Sequence, residues 1–375
     1  MGARRATSLR RVFIRIVTAS ALVAAVAWPA SAVSASHKAA SCFGKPVTIK
    51  GGQFTDDVIP GTPGPDVINT YDGNDVIFGM GGNDLICTGN GNDIAIGGAG
   101  NDKIIGLKGD QTLVGDYSDI TVKGESDNGQ SGTADGNDLI RGGPGKDLEV
   151  GDQYSTSGDA SGDGRDVLQS GGDRDTNVGD AYAPNGNAVG DGRDSVDGGP
   201  DTDLLVGDAF GQTARGTGSD NVEGEAGDDL MVGDAYVDGG GTATGAAVDH
   251  FFGDAGKDTI VGDSYSLHGD AVSAANDAGT GGKGSDKMIG DNAAGGTAKD
   301  GGDDTWLGSK EGDVLIGDNI ALAGGHVSGG GNDDLRGGEA GDDFDAGPGK
   351  DTCQGNSGTD HDLSHPPCED TQSIP

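Results

Sequence analysis

Nine residues, Gly97-Gly98-Ala99-Gly100-Asn101-Asp102-Lys103-Ile104-Ile105, recur in variant form from Gly61 almost to the C-terminus. Glycine and aspartate hold fixed offsets, and a short apolar tripeptide follows. A six-residue stretch of Gly and Asp favours a turn. Three residues with one apolar centre favour a short strand with a single inward side chain. A chain that repeats this unit stacks turn on turn and strand on strand, so a solenoid is expected rather than an assembly of conventional domains.

Two nonapeptides make one coil, so residues 18 apart lie one above the other. Asp66, Asp75, Asp84, Asp93 and Asp102 are spaced by nine, and Gln111 takes the next place. The strand centres that follow them are Ile68, Ile77, Ile86, Ala95, Ile104 and Leu113. This phase puts Asp66, Asp84 and Asp102 on one edge and Asp75, Asp93 and Gln111 on the other.

After Gly115 the period lengthens. A Gly-Asp pair recurs at Asp116, Asp152, Asp180, Asp208, Asp234, Asp263, Asp291 and Asp318. The intervals fit a coil of 18 residues plus an insertion of about ten. One insertion per coil must return to the same edge each time. The uninserted edge then runs Asp75, Asp93, Gln111, Asp147, Asp175, Asp203, Asp229, Asp258, Asp286, Asp313 and Asp343. That is 11 coils, or roughly 50 Å of solenoid at ~4.8 Å per strand spacing. Asp138, Asp166, Asp194, Asp220, Asp304, Asp333 and Asp351 hold the same turn position elsewhere in the array. Glu149 and Asn177 stand where an apolar strand residue is expected, and the turns before Gly253 and Gly281 are poor, so irregular coils are expected there.

Composition agrees with a solenoid. Gly makes up 76 of 375 residues and aromatics 4%, against about 7% for Gly in ordinary chains. Glycine does not fall on every third position, which excludes collagen. Low hydrophobicity with high charge also describes disordered chains, but here the apolar residues keep one phase of the repeat. The formal charge is −38. Met1–Ser36 holds five Arg and no acid, so without it 19 basic and 62 acidic residues remain, 19 − 62 = −43. Such a chain repels itself and nucleic-acid phosphates alike. It needs cations.

The turns are suited to supply oxygens to one. Ca²⁺ takes six to eight oxygens and accepts backbone carbonyls beside carboxylates. Glycines such as Gly97, Gly98, Gly100, Gly281, Gly282 and Gly284 let a turn adopt positive φ and aim its carbonyls inward. The sixth-position aspartate adds a carboxylate. An ion shared by two stacked turns bridges coils, so binding becomes folding free energy. About 12–18 ions are expected if most stacked turns share one.

These motifs resemble the haemolysin-type calcium-binding repeat, or repeats-in-toxin, family across about Gly61–Gln354. Gly97–Ile105 and Gly281–Ile289 are the best copies, with Gly142–Val150 close. The resemblance implies an all-β, right-handed parallel β-roll that binds multiple calcium ions through turn carbonyls and sixth-position aspartates. Family toxins also carry a separate lytic or catalytic domain, for which the array leaves no room in these 375 residues, so toxicity is not carried over.

The implied organisation is a signal peptide over 1–32, an N-terminal cap over 33–60, an uninterrupted array over 61–114, inserted coils over 115–354 and a C-terminal cap over 355–375. Arg4, Arg5, Arg10, Arg11 and Arg15 precede the apolar run Ile16–Trp28, which is too short for a membrane span. Cleavage is expected after Ala32, with the general secretory route favoured over a twin-arginine one. No membrane span is expected in the mature chain. Cys42, Cys87, Cys353 and Cys368 suggest disulfides at the two ends, Cys42 with Cys87 and Cys353 with Cys368.

EF-hand, HExxH, GxSxG and Walker A spacings do not occur. Gly279-x-Gly281-x-x-Gly284 is a chance dinucleotide-type hit in a glycine-rich chain. His361 and His365 lie beside Cys368, but Pro366-Pro367 opposes a helix that would align them. Tyr154, Tyr182, Phe210, Tyr236 and Tyr265 open successive insertions and are expected to stack along one edge, with a sugar-binding platform as the alternative. The aspartates before them either add ligands or cap turns. The expected function is a secreted, non-enzymatic calcium-binding β-roll with a structural or interaction role. A polysaccharide lyase or epimerase is the enzymatic alternative, and an adhesin or ice-binding module is another. The macromolecular partner is not readable.

Overall fold

The computed structural model describes residues 41–123, 126, 136–322, 324–355, 360–362, 368 and 370–372. Among them there is no helix, and nearly all strands are parallel. His365, named above, lies outside the described residues.

The xUx tripeptides form two facing ladders. One sheet has 14 strands, from Ile49–Lys50 through Lys103–Lys108 and Thr305–Ser309 to Asp370–Gln372. The other has 13, from Val58–Thr62 through Thr112–Val114 to His361–Asp362. The ladders therefore outrun the 11 coils expected, because they begin inside the segment read as a cap and continue past Gln354. The register is that of the repeat. Ile86 pairs with Ile68 and Ile104, and Ile77 with Ile59 and Ala95.

The middle residue of each strand points inward, and these single side chains are the whole roll core. Ile68, Ile86, Ile104, Ile140 and Leu168 pack with Ile77, Ala95 and Leu113 in the first half. Val196, Phe251, Trp306 and Leu335 pack with Leu205, Met231, Ile260 and Phe344 in the second. Glu149 and Asn177 hold inward positions without breaking register, opposite Leu113 and Leu205. Ser170 Oγ donates to Asn177 Oδ1 at 2.7 Å. Both Glu149 oxygens are buried without a partner, and burial pushes its carboxyl well above the usual range, toward the neutral form.

The insertions were expected as loops; they fold. Among the described residues they build a third parallel sheet of 13 strands, mostly as two short arms each, with Ala181–Gly190 and Ala209–Gly216 as single longer strands. Its first ladder includes Tyr117–Ser118, Ala235–Val237 and Ser264–Ser266, and its second Ala160–Gly162, Ala243–Gly245 and Thr297–Lys299. Alanines at 160, 181, 188, 209, 214, 235, 243, 271 and 298 fill it. Small side chains suit two arms that lie this close. All insertions leave after the 13-stranded sheet and return before the 14-stranded one, so they share an edge as expected.

The aromatic residues stack in order, with ring centroids 5.5, 4.7, 4.9 and 5.2 Å apart from Tyr154 to Tyr265. The row covers the third residue of the 13-stranded sheet, including Val150, Val178, Val206, Val232 and Val261. Its role is packing between roll and insertion. Tyr182→Ala should cost about 1–3 kcal/mol, from lost apolar burial and two lost ring contacts, and leave the number of bound cations unchanged. Thermal unfolding and a metal titration of the variant check both parts.

Both end disulfides are present, Cys42–Cys87 and Cys353–Cys368. Thr112, Thr176 and Thr259 share a column interrupted by Leu148, Leu204 and Leu230, so they make no continuous threonine row. Gly279, Gly281 and Gly282 sit in strand Ala278–Gly282 and not before a helix.

Candidate metal centre

The sixth-position aspartates stack into two columns, one per edge. Each carboxylate accepts a backbone N–H from its counterpart in the preceding coil. On the plain edge Asp57 N donates to Asp75 Oδ1 and Asp75 N to Asp93 Oδ1, both at 2.8 Å. After Gln111 the chain continues through Asp147, Asp175, Asp203, Asp229, Asp258, Asp286 and Asp313, at 2.7–3.0 Å. On the inserted edge Asp66, Asp84, Asp102, Asp138, Asp166, Asp194 and Asp220 are linked at 2.6–2.8 Å. Asp304 donates to Asp333 at 2.9 Å and Asp333 to Asp351 at 3.1 Å. Asp84 thus lies between Asp66 and Asp102, and Asp203 between Asp175 and Asp229.

Two expectations need correction. Asp343 is not in the plain column. It opens strand Asp343–Asp345, opposite Val314, and meets His361 Nδ1 at 3.1 Å. Asp342 takes the place instead, accepting from Asp313 N at 3.0 Å and passing the ladder to Asp360 at 3.1 Å. The turn counts six residues from Gly337, and only this phase turns Phe344 inward. The coils before Gly253 and Gly281 are also regular. Asp249 and Asp277 carry the inserted column from Asp220 to Asp304 at 2.7–2.8 Å. Their turns are poor in glycine, which hid them. Asp66 heads the inserted column as expected, and Thr62 N and Oγ1 donate to its Oδ2 at 2.8 and 2.9 Å.

The second oxygen of the other column members is the informative one. Oδ2 of Asp75, Asp84, Asp93, Asp102, Asp138, Asp147, Asp166, Asp175, Asp194, Asp203, Asp220, Asp229, Asp258, Asp286, Asp304, Asp313 and Asp333 is buried with no hydrogen-bond partner. An unpaired buried carboxylate oxygen is costly unless a cation or proton meets it. Burial, only partly offset by the donated backbone N–H, raises Asp84 to about 7, Asp102 to about 8 and Asp203 to about 8. Asp166 and Asp194 are raised well above the usual range by burial and by repulsion from neighbouring aspartates.

The glycines permit a close approach of oxygens. A Cβ on Gly97 would lie 2.3 Å from both Asp102 Oδ2 and Gly115 O, and one on Gly281 2.4 Å from Asp286 Oδ2. Gly98, Gly100, Gly282 and Gly284 have φ of +95°, +134°, +100° and +134°, a region open to glycine at no steric cost. Carboxylate and carbonyl oxygens therefore approach the glycine Cα atoms so closely that no side chain fits between them. This donor set is hard and all oxygen, which suits Ca²⁺ rather than a thiolate- or imidazole-seeking metal.

Gln111 shows what these oxygens attract. Its backbone keeps the ladder, while its side-chain Nε2 donates to Gly91 O at 2.7 Å and Gly109 O at 3.2 Å. Where the carboxylate is missing, a positive dipole satisfies the turn carbonyls.

Sequence reading placed the insertion-opening aspartates beside these columns without deciding their role. All eight are buried. Asp116, Asp138 and Asp152 bring oxygens within 4.8 Å of one another, as do Asp152, Asp166 and Asp180, and Asp180, Asp194 and Asp208.

A family model described as the RTX calcium-binding nonapeptide repeat (4 copies) matches residues 51–86, 88–116, 133–149, 188–210, 216–235, 243–264 and 327–361. No curated protein matches the chain. The matched segments cover the uninterrupted coils and inserted coils alike, and the strand register runs unbroken through the stretches between them. With its parallel ladders and twin aspartate columns, the chain carries RTX calcium-binding nonapeptide repeats in segments spread between residues 51 and 361.

Proposed function

We propose that this chain is a secreted, non-enzymatic β-roll that folds around a row of calcium ions and serves as a structural or interaction module outside the cell. The observation that carries the reading is the row of buried carboxylate oxygens without partners, packed against glycines where no side chain would fit. An ion bound there satisfies the oxygens of two coils at once, which ties metal binding to stacking. The basic, apolar N-terminal segment supports export, with removal after Ala32. A calcium-dependent fold suits that route, because the chain crosses unfolded and meets millimolar calcium outside.

Calorimetric titration of residues 33–375 with Ca²⁺, followed by circular dichroism, tests the reading. Many ions per chain and a parallel gain of β structure are expected; no binding at millimolar calcium would end it. N-terminal sequencing of the exported protein should begin at Val33. Gln111 offers a sharper check. Gln111→Asp replaces the donated amide hydrogens with a carboxylate between Asp93 and Asp147, so the variant should bind one more calcium ion than the parent. An unchanged count, by native mass spectrometry, would mean that the plain-edge turns are not ion sites.

A further inference from the structure

We infer that the inserted edge carries a second class of calcium site, in which aspartates from outside the nonapeptide replace turn backbone as ligands. This rests on the calcium reading above and sharpens it. The three sites are Asp116/Asp138/Asp152, Asp152/Asp166/Asp180 and Asp180/Asp194/Asp208.

The uninterrupted turn runs Gly97-Gly98-Ala99-Gly100-Asn101-Asp102. In an inserted coil the first glycine is Gly151 and the chain then leaves through Asp152, returning to Gly164-Arg165-Asp166. The backbone that follows the first glycine is diverted into the insertion. What stays at the turn is the Asp152 carboxylate. Gly164 N donates to Asp152 Oδ2 at 2.9 Å and fixes it in place. Gly136 N does the same for Asp116 Oδ2 at 2.8 Å, and Gly192 N for Asp180 Oδ2 at 2.7 Å.

The oxygens left over converge. Asp116 Oδ1, Asp152 Oδ1, Asp180 Oδ1 and Asp208 Oδ1 have no partner, nor do Asp138 Oδ2, Asp166 Oδ2 and Asp194 Oδ2. All seven residues are at most 4% exposed, so water does not solvate them. They face one another within each turn. The point where a Cβ would sit on Gly164 is 2.5 Å from Gly136 O, 2.8 Å from Asp152 Oδ1 and 3.1 Å from Asp166 Oδ2. The same point on Gly192 is 2.5 Å from Asp180 Oδ1, 2.7 Å from Gly164 O and 2.9 Å from Asp194 Oδ2. Two carboxylates from different segments and one carbonyl therefore face a common point in successive coils. The oxygens of each trio lie within 4.8 Å of one another, near enough to share one ion, since two ligands each ~2.3–2.6 Å from Ca²⁺ are at most about 5 Å apart.

Charge balance agrees. Seven carboxylates with three divalent ions leave 7 − 6 = 1 negative charge. The plain edge offers one stacked aspartate per coil, whereas this edge offers two. Affinity rises with the number of charged ligands in a site, so these three sites fill before the plain-edge ones.

The test is a calcium titration of residues 33–375 carrying Asp152→Asn and Asp180→Asn, beside a control carrying Asp175→Asn and Asp203→Asn on the plain edge. Asn keeps an oxygen to accept from Gly164 N and Gly192 N but removes a charge from all three sites. The double variant should lose the tightest class, with three fewer ions by native mass spectrometry or at least a tenfold weaker first phase. The control should keep that first phase. An unchanged first phase and ion count in the Asp152/Asp180 variant would overturn the inference while leaving calcium binding intact; a parent that binds no calcium would overturn the underlying reading instead. If the double variant gains no β structure at saturating calcium, Asp116→Asn decides. That residue belongs only to the first site, so one ion should be lost, and retention of the full count would refute the proposal.

Discussion

Removal of calcium from residues 33–375 should abolish most of the β structure, and its return should restore it cooperatively. The expectation follows from how little else holds the roll. Each strand sends one central side chain into the roll, one of the two facing ladders buries a second apolar row on its outer side, and the interior is closed by turns carrying buried carboxylates. The segment carries a formal charge of −43, since only basic residues precede it (19 − 62). Without cations, that repulsion opposes every stacked coil. Hydrophobic burial along a narrow roll cannot offset the ordering entropy of a glycine-rich backbone, which loses more freedom than any other on folding. With calcium, binding free energy enters at each coil interface and adds along the row. The transition should fall at high micromolar to millimolar Ca²⁺, in the range of extracellular modules. Trp306 is the single tryptophan of residues 33–375 and is fully buried, so its emission should shift red in EDTA and return with calcium. Magnesium should not substitute at equal concentration, because it demands shorter bonds and octahedral geometry. A chain that keeps its β signal and buried indole in excess EDTA would contradict this.

Much of this fold was legible because the repeat couples phase to burial. A strand centre that drifts by one residue puts an apolar side chain outside, so the positions of Ile68, Ile86 and Ile104 set the register of their aspartates as well. That is why Asp84 and Asp203 were placed between their true neighbours. The same rule, applied to Phe344, would have selected Asp342 over Asp343. Asp249 and Asp277 escaped because their turns lack the glycine signature, although Phe251 marks the strand that follows Asp249. The third sheet was hidden for a different reason. Its core is alanine, which carries little hydrophobic signal and favours no strand. The one available clue was the apolar third residue of strands such as Leu204-Leu205-Val206, which a purely two-sided roll would leave in water. Gln111 was legible only as a break in the aspartate series; the geometry reveals that its amide takes over the carbonyls. The separate columns were visible in the numbering, but not that oxygens from insertion and turn converge on one point.

The largest single-residue effect is expected at Trp306, and its pattern should be non-additive with Gly279. Trp306 lies inward in strand Thr305–Ser309, between Gly279 and Leu335 of the neighbouring coils. A Cβ on Gly279 would lie 2.7 Å from Trp306 Cζ3 and 2.8 Å from Phe251 Cβ. The indole therefore fills the volume that glycine leaves, and its ring lies tilted 5.8 Å from that of Phe251. Trp306→Ala opens a cavity where the next residue also lacks a side chain, and should cost about 3–5 kcal/mol. Trp306→Phe should cost much less, since the indole N–H has no partner and removing a buried unpaired donor offsets about 1–3 kcal/mol. Gly279→Ala alone should destabilise by overpacking. In the Trp306→Ala background the same methyl group has room, so Gly279→Ala should become neutral or stabilising there. Coils interact mainly with their neighbours, so the damage should split calcium-loaded unfolding into two transitions on either side of this coil. Chemical denaturation of the four variants in saturating calcium measures the coupling; strictly additive costs would mean that Trp306 and Gly279 do not share a space.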